Sequence, residues 1–273
     1  MVAALRVAGR ELRFGPDVTH VMAVVNLSPE SRVAHSVVDG PAGALDRARW
    51  ARDLGASLID LGAQSSHFEN RELGVDEELD RLRPALEALV GDGFVVSVDT
   101  WKPEVAAAAL GVGAAMLNDT AGLQDDRMVD VIAEAGAAAV LMYIEGANPL
   151  AVEDRDLSEG GADRVAEVLA ERAGKLKGRG IEQLLVDPGL SINYRGDYEE
   201  YGRFQLDAIA SLDRLAALGH PTLVPVPRKK EDHRMVAYLT LAIEHGADVI
   251  RVHDVDVACD LVPLLGRRLG AAS

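Results

Sequence analysis

The sequence predicts an α/β protein with the (β/α)8 architecture of a TIM barrel, formed by one domain that spans residues 1–273. Short runs rich in Val, Ile and Leu alternate with stretches of helical periodicity, which is the pattern of βαβ units with parallel strands. Eight such runs occur in 273 residues, and barrels of this kind typically have about 250 residues. No proline-rich linker or change of composition marks a domain boundary in the sequence.

The eight predicted strands each end in a polar residue or in a cluster with glycine or proline. They cover His20–Asn26, Leu58–Gly62, Phe94–Thr100, Ala114–Asp119, Ala138–Ile144, Leu184–Pro188, Thr222–Pro227 and Val249–Asp254. The segments between them carry an apolar stripe opposite a charged one, which predicts helices on the outside of the barrel. The clearest are Ala42–Leu54, Asp76–Val90, Arg164–Gly178 and Leu206–Leu218. An open, doubly wound sheet can produce the same alternation, but eight units favour the closed barrel.

Charge and composition limit the partners of this chain. The 28 Lys and Arg residues against 44 Asp and Glu residues give a net charge of −16, so we expect no affinity for nucleic acid or for an anionic membrane. No apolar run approaches the roughly 20 residues that a membrane span requires. The first residues lack the pattern of a secretory signal, and the single cysteine, Cys259, predicts no intramolecular disulfide. Both observations favour a cytoplasmic location.

Polar side chains collect at the carboxyl ends of the predicted strands, and this face of an eight-stranded barrel carries the active site. The strand ends contain Asn26, Asp60, Asp99, Thr100, Asn118, Asp119, Tyr143, Asp187, Arg228, Lys229, Arg251, His253 and Asp254. Because almost every strand ends in such a group, the set predicts a binding site rather than scattered loop contacts.

Three of these side chains suit the edge of an amino-pyrimidinone ring. Asp99 and Asp187 offer carboxylates that accept from ring N–H groups, and the amide of Asn118 both donates and accepts. Lys229 is able to donate to a ring carbonyl or nitrogen. Arg251 and His253 lie two residues apart on one strand and therefore face the same side, where their positive charge suits a diphosphate.

Six motifs occur in an order that is similar to that of the dihydropteroate synthases. They are V-M-A-V-V-N-L-S-P-E-S (Val21–Ser31), S-V-D-T-W-K-P-E-V (Ser97–Val105), N-D-T-A-G-L (Asn118–Leu123), V-D-P-G (Val186–Gly189), P-R-K (Pro227–Lys229) and R-V-H-D-V (Arg251–Val255). The match covers nearly the whole chain, and six ordered motifs are more specific than any one of them.

The resemblance implies a barrel enzyme that binds 6-hydroxymethyl-dihydropterin diphosphate and replaces the diphosphate with the amine of p-aminobenzoate. It implies that Asp99, Asn118, Asp187 and Lys229 hold the pterin, and that Asn26, Arg251 and His253 hold the diphosphate, with Asn26 also a ligand of Mg²⁺. We expect Asp99, Lys229, Arg251 and His253 to be catalytic, and Ser66 and Arg228 to join the substrate-binding residues. The family also implies a homodimer.

The sequence departs from this family where the second substrate would bind. The first loop, Pro29–His35, lacks the usual phenylalanine and glycine-rich turn, and Arg32 stands in place of the phenylalanine. The usual Gly-Phe-Gly-Lys is replaced by the residues Ser191–Tyr194, and Pro227 replaces a serine. In the family these lost groups pack around p-aminobenzoate, so we hypothesise that a different amine or nucleophile takes its place.

The second loop differs as well, because His67 stands where the family has a phosphate-binding arginine. We interpret His35 and His67 as exposed loop residues rather than metal ligands, since no carboxylate spacing accompanies them.

The sequence is compatible with two other functions. A catalytically silent pterin-binding protein would keep the same pterin-binding residues with altered loops. Such a protein, however, does not need the diphosphate residues Asn26, Arg251 and His253. The pterin-binding methyltransferases of corrinoid systems use similar pterin-binding residues, but the Arg-Val-His motif and the Asn-Leu-Ser-Pro loop favour the synthases.

Overall fold

The computed structural model of this protein describes residues 4–31, 33–67, 69–152, 161–192, 197–227 and 232–272. A hairpin of two antiparallel strands, β1 (Ala4–Val7) and β2 (Arg10–Arg13), precedes a barrel of parallel strands. The barrel strands are β3 (Val18–Asn26), β4 (Leu58–Gly62), β5 (Val96–Asp99), β6 (Met116–Asp119), β7 (Ala138–Met142), β8 (Leu184–Asp187), β9 (Leu223–Pro225) and β10 (Val249–Val252). A short final strand, β11 (Arg268–Leu269), pairs with the beginning of β3.

The strand order β8-β7-β6-β5-β4-β3-β10-β9 brings the two ends of the sheet together. β9 meets β8 through a parallel bridge between Val186 and Thr222, and the amide of Val186 donates to the carbonyl of Pro221 at 2.9 Å. The predicted (β/α)8 barrel is therefore confirmed, and the open sheet is not the fold. The predicted strand Leu58–Gly62 is correct to the residue, whereas Phe94–Thr100 was too long because only Val96–Asp99 lies in the ladder.

Helices cover the outside of the barrel. They are α1 (Gly40–Leu54), α2 (Val75–Gly91), α3 (Pro103–Val112), α4 (Asp126–Ala135), α5 (Gly161–Gly178), α6 (Tyr198–Ala210), α7 (Leu212–Ala216), α8 (Asp232–Glu244) and α9 (Val255–Leu264). A single 3₁₀ turn, Ala34–Ser36, lies between β3 and α1. Within the described ranges, no helix combines the length and the apolar character that crossing a bilayer requires.

The prediction of one helix over Leu206–Leu218 was wrong. The helix begins eight residues earlier, at Tyr198, because the Asp197 side chain caps it by accepting from the amides of Glu199 and Glu200, both at 2.8 Å. It ends at Ala210, because the dihedral angles of the next residue, Ser211 (φ −111°, ψ 23°), are not helical, and α7 starts at Leu212. Apolar periodicity continues across this break, so periodicity alone did not reveal it.

The hairpin closes the amino-terminal end of the barrel. Its apolar side chains, those of Leu5, Val7 and Leu12, belong to the same buried cluster as Met22 and Met116 inside the barrel. The second, larger cluster lies between strands and helices. Sealing one end of the barrel leaves the other end, at the carboxyl ends of the strands, for a ligand.

Candidate functional site

The buried polar residues predicted at the strand ends do lie together at the carboxyl end of the barrel. Asp99 on β5 pairs in register with Asn118 on β6, and Gly62 on the other neighbouring strand pairs with Asp99. Asn118 and Asp187 are each only 2% exposed. We refer to Asp60, Asp99, Asn118, Asp187 and Arg251 as the floor cluster.

Arg251 connects this floor cluster across the barrel. Its Nε donates to Oδ2 of Asp60 at 2.6 Å, and its Nη2 donates to Oδ2 of Asp99 at 2.8 Å. Oδ2 of Asp60 also accepts from Nδ2 of Asn118 at 3.2 Å. In this arrangement the guanidinium binds two carboxylates, so the diphosphate contact expected for Arg251 would have to use its other N–H groups.

Asp60 belongs to the floor cluster, although its sequence context predicts no role for it in binding or catalysis. It is fully buried in the middle of β4, and its partner Arg251 is 191 residues away. A lone carboxylate inside the apolar run Leu58–Gly62 is the signal that could have indicated it, because a buried charge requires a partner.

The floor cluster contains more negative than positive charge. Burial raises the pKa of Asp99 to about 7, opposed by Arg251 and reinforced by the charge of Asp60. Burial likewise raises the pKa of Asp187 to about 7, although the backbone amide of Gly189 donates to this carboxylate at 2.6 Å. Three carboxylates around one guanidinium therefore create a site that attracts N–H donors.

Two acceptor atoms of the floor cluster have no hydrogen-bond partner within the described residues. They are Oδ1 of Asp60 and Oδ1 of Asn118, both buried. Buried polar atoms are normally paired, because an unpaired one costs free energy. Two such acceptors on side chains that are hydrogen-bonded to each other indicate a place where a ligand donates hydrogen bonds.

The loop after β8 turns sharply beside this cluster. Gly189 has a φ of +74°, and a Cβ at this position would collide with the carbonyl oxygen of Tyr143. Glycine is therefore required for the backbone to pass so close, which explains the Asp-Pro-Gly motif at the end of β8 in physical terms.

Arg251 belongs to the floor cluster, whereas the other predicted diphosphate residues lie at the rim: Asn26, also the predicted metal ligand, is the last residue of β3, and His253 directly follows β10. The side-chain oxygen of Asn26 accepts from the amide of Ser28 at 2.8 Å. Nδ1 of His253 lies 2.7 Å from Oγ of Ser36. Ser66 is half-buried in the loop after β4, whereas Arg228 and Lys229, predicted to bind substrate, lie outside the described residues.

The interpretation of His67 as an exposed residue was wrong. Its side chain is 8% exposed, and its Nδ1 accepts from the backbone amide of Glu69 at 3.2 Å. The loop after β4 folds back over the imidazole, which sequence patterns do not reveal. His35, by contrast, is exposed, as expected.

Comparisons with known proteins agree with this geometry. A family model described as pterin binding enzyme matches residues 22–253. A probable bifunctional folylpolyglutamate synthase/dihydropteroate synthase from Haloferax volcanii is 35% identical over 92% of this chain, which spans only 31% of that protein's length. Dihydropteroate synthase from Escherichia coli is 30% identical, with 92% of each chain covered.

A solved structure gives the same result for the fold. Dihydropteroate synthase from Thermus thermophilus, in complex with 4-aminobenzoate, superposes with a TM-score of 0.81 at 34% identity, covering 96% of this chain and 98% of that one. With a family model over most of its length and these relatives, the chain belongs to the family of pterin-binding enzymes that includes the dihydropteroate synthases.

Proposed function

We propose that this protein is a transferase of the dihydropteroate-synthase type. It joins 6-hydroxymethyl-7,8-dihydropterin diphosphate to p-aminobenzoate or to a different amine and releases diphosphate. The observation that carries this proposal is the pair of buried, unpartnered acceptors, Oδ1 of Asp60 and Oδ1 of Asn118, beside two further carboxylates. The pterin edge has N–H groups that match such acceptors.

The floor cluster also suits the electronic demand of the reaction. The bond between the pterin methylene carbon and the diphosphate oxygen breaks, and its electron pair leaves with the diphosphate. The positive charge that develops spreads over the pterin ring, next to Asp99 and Asp187, and fixed negative charge there stabilises it. The lone pair of the amine nitrogen then forms the new C–N bond to the methylene carbon, and the nitrogen releases its extra proton to water.

The leaving diphosphate would be held at the rim. Arg251 donates two of its five N–H groups to Asp60 and Asp99, so three remain for an anion. His253 and Asn26 lie on the same side of the barrel, at the ends of the neighbouring strands β10 and β3. Hydrogen-bond donors for an anion are thus gathered locally in a chain whose net charge is −16.

Mg²⁺ fits this rim as part of the proposal. The described residues contain no group of three His, Cys, Asp or Glu side chains that could hold a metal ion alone. Mg²⁺ is commonly bound by one or two protein oxygens together with substrate phosphates and water, and Oδ1 of Asn26 would be that protein oxygen. When bound, Mg²⁺ neutralises charge on the leaving diphosphate.

The structure of the loop after β8 favours the hypothesis that the second substrate is not p-aminobenzoate. Leu190 and Ile192 are buried, and Ile192 packs against Met142 and Ile144. The hydroxyl of Tyr201 lies 2.9 Å from the carbonyl oxygen of Leu190 and 2.6 Å from that of Ile192, and its single hydrogen, shared between these two acceptors, fixes the loop. Aliphatic side chains turned into the core therefore occupy part of the segment where the family pattern has a phenylalanine.

The same observation favours a second candidate, a pterin-binding protein that does not condense p-aminobenzoate. Calorimetric titration with 6-hydroxymethyl-dihydropterin diphosphate and Mg²⁺, with and without p-aminobenzoate, separates the candidates when combined with an assay for released diphosphate. Release that depends on p-aminobenzoate supports the ordinary reaction. If the pterin diphosphate binds but none of a panel of amines causes release of diphosphate, the result supports the silent pterin-binding protein. If the pterin diphosphate does not bind, the pterin assignment is contradicted.

We further propose a homodimer in the cytoplasm. Large apolar side chains are exposed on the adjacent helices α6 and α8, namely Leu206, Val236 and Leu241. Exposed apolar side chains on two adjacent helices are candidates for a protein interface. The lone, buried Cys259 is compatible with a reducing compartment.

A further inference from the structure

The 3₁₀ turn Ala34–Ser36 contacts the diphosphate residue His253 from a position where the family pattern has a glycine-rich turn. Ser36 is fully buried, and its Oγ lies 2.7 Å from Nδ1 of His253. These two residues are 217 positions apart in the sequence. The contact therefore joins the divergent first loop directly to the residue that is expected to meet the leaving group.

The surroundings of Ser36 determine which ring nitrogen of His253 carries the hydrogen. Oγ of Ser36 also lies 2.9 Å from the carbonyl oxygen of Val33, which can only accept. The single hydroxyl hydrogen of Ser36 is therefore donated to Val33, and Oγ must accept from His253. His253 is consequently held with a hydrogen on Nδ1, so a second proton would be on Nε2.

Arg47 fixes the turn in this position. Its half-buried guanidinium donates to the carbonyls of Val24 at 3.0 Å, His35 at 3.3 Å and His253 at 2.7 Å. One side chain on α1 thus ties together the end of β3, the turn and the segment after β10. This bracing places Ser36 beside His253.

We propose that Ser36 is a positioning residue that holds His253 in the Nδ1–H form, so that protonated Nε2 can donate to the leaving diphosphate. This inference rests on the proposed function, because it concerns the same diphosphate site. An acceptor at Nδ1 favours both the neutral form with hydrogen on Nδ1 and the imidazolium, and it disfavours the Nε2–H tautomer. Replacing the usual glycine-rich turn therefore supplies His253 with a fixed orientation and tautomer.

The test compares Ser36→Ala and Ser36→Thr with Ser57→Ala. Ser57 is a matched control, since its Oγ lies 2.9 Å from Nδ1 of His20 at the opposite end of the barrel. Imidazole ¹⁵N NMR reports the tautomers, calorimetry with inorganic diphosphate and Mg²⁺ reports the anion site, and steady-state kinetics report kcat and KM. None of the three variants removes a residue assigned to substrate contact.

We expect Ser36→Ala to shift His253 toward the Nε2–H tautomer and to weaken diphosphate binding about tenfold, the size expected for one hydrogen bond to a charged group. Ser36→Thr should restore both, and Ser57→Ala should change only the signals of His20. An unchanged His253 tautomer and unchanged diphosphate affinity in Ser36→Ala would overturn the proposal, as would an equal loss in Ser57→Ala. Inorganic diphosphate binds without an amine, so the role of Ser36 can be tested even if the wild-type protein shows no condensation activity. Absence of that activity in the wild-type protein would contradict only the proposed reaction.

Discussion

Asp99 and Asp187 determine how the site responds to pH, because burial raises the pKa of each to about 7. The N–H groups of a pterin pair with the ionised carboxylates, so affinity should decrease as pH falls below 7. The decrease approaches about tenfold per pH unit for each carboxylate that must be ionised. Calorimetry with 6-hydroxymethylpterin between about pH 5.5 and 8.5 checks this, since that ligand has no phosphate that titrates. A flat profile would contradict it.

The same raised pKa means that the ionised side chain of Asp187 lowers the stability of the fold. Its folded-state pKa of about 7 exceeds the ordinary 3.8, so between about pH 4 and 7 the folded protein keeps a proton that the unfolded chain has released. Stability from this group is present at low pH and is lost as pH rises toward 7. Asp187→Asn should therefore raise Tm more at pH 8 than at pH 5 while abolishing pterin binding; thermal melts at both pH values test this. A lower Tm at pH 8 would disprove it.

At the scale of elements, a buried ion pair joins α2 to the end of β5. Oε1 of Glu78 accepts from the hydroxyl of Thr100 at 2.7 Å, and its Oε2 accepts from Nζ of Lys102 at 2.6 Å. Glu78 is 1% and Lys102 10% exposed. Because Thr100 directly follows Asp99, this pair fixes the strand end that forms part of the floor cluster.

Removing one partner of this pair should destabilise the fold strongly. Glu78→Ala leaves the Lys102 ammonium buried without its closest carboxylate, which should lower the free energy of unfolding by about 3 to 5 kcal/mol. Urea denaturation measures it. Lys175→Ala is the matched control, because it breaks the exposed pair with Glu171 on α5 and should change stability little. Equal changes in the free energy of unfolding for the two substitutions would show that the buried pair stabilises the fold no more than the exposed pair.

At the scale of the whole molecule, the exposed apolar residues of α6 and α8 underlie the proposed dimer. Leu206→Glu places a charge in the proposed interface and should convert a dimer to a monomer, as sedimentation velocity would show. Leu264→Glu is the control: Leu264 is the more exposed residue, at 72% against 42%, but lies on α9. A wild-type protein that sediments as a monomer would contradict the dimer.

The sequence by itself determined the eight-unit barrel and the identity of most of the floor cluster. Hydrophobic periodicity and strand-end motifs are local, so Asp99, Asn118 and Asp187 could be placed without coordinates. Only the tertiary structure decided which side chains contact one another in the site. The Asp60–Arg251 pair spans 191 residues and the Ser36–His253 contact spans 217. Such contacts depend on how closing the barrel brings distant strand ends together, and no pattern along the chain encodes them.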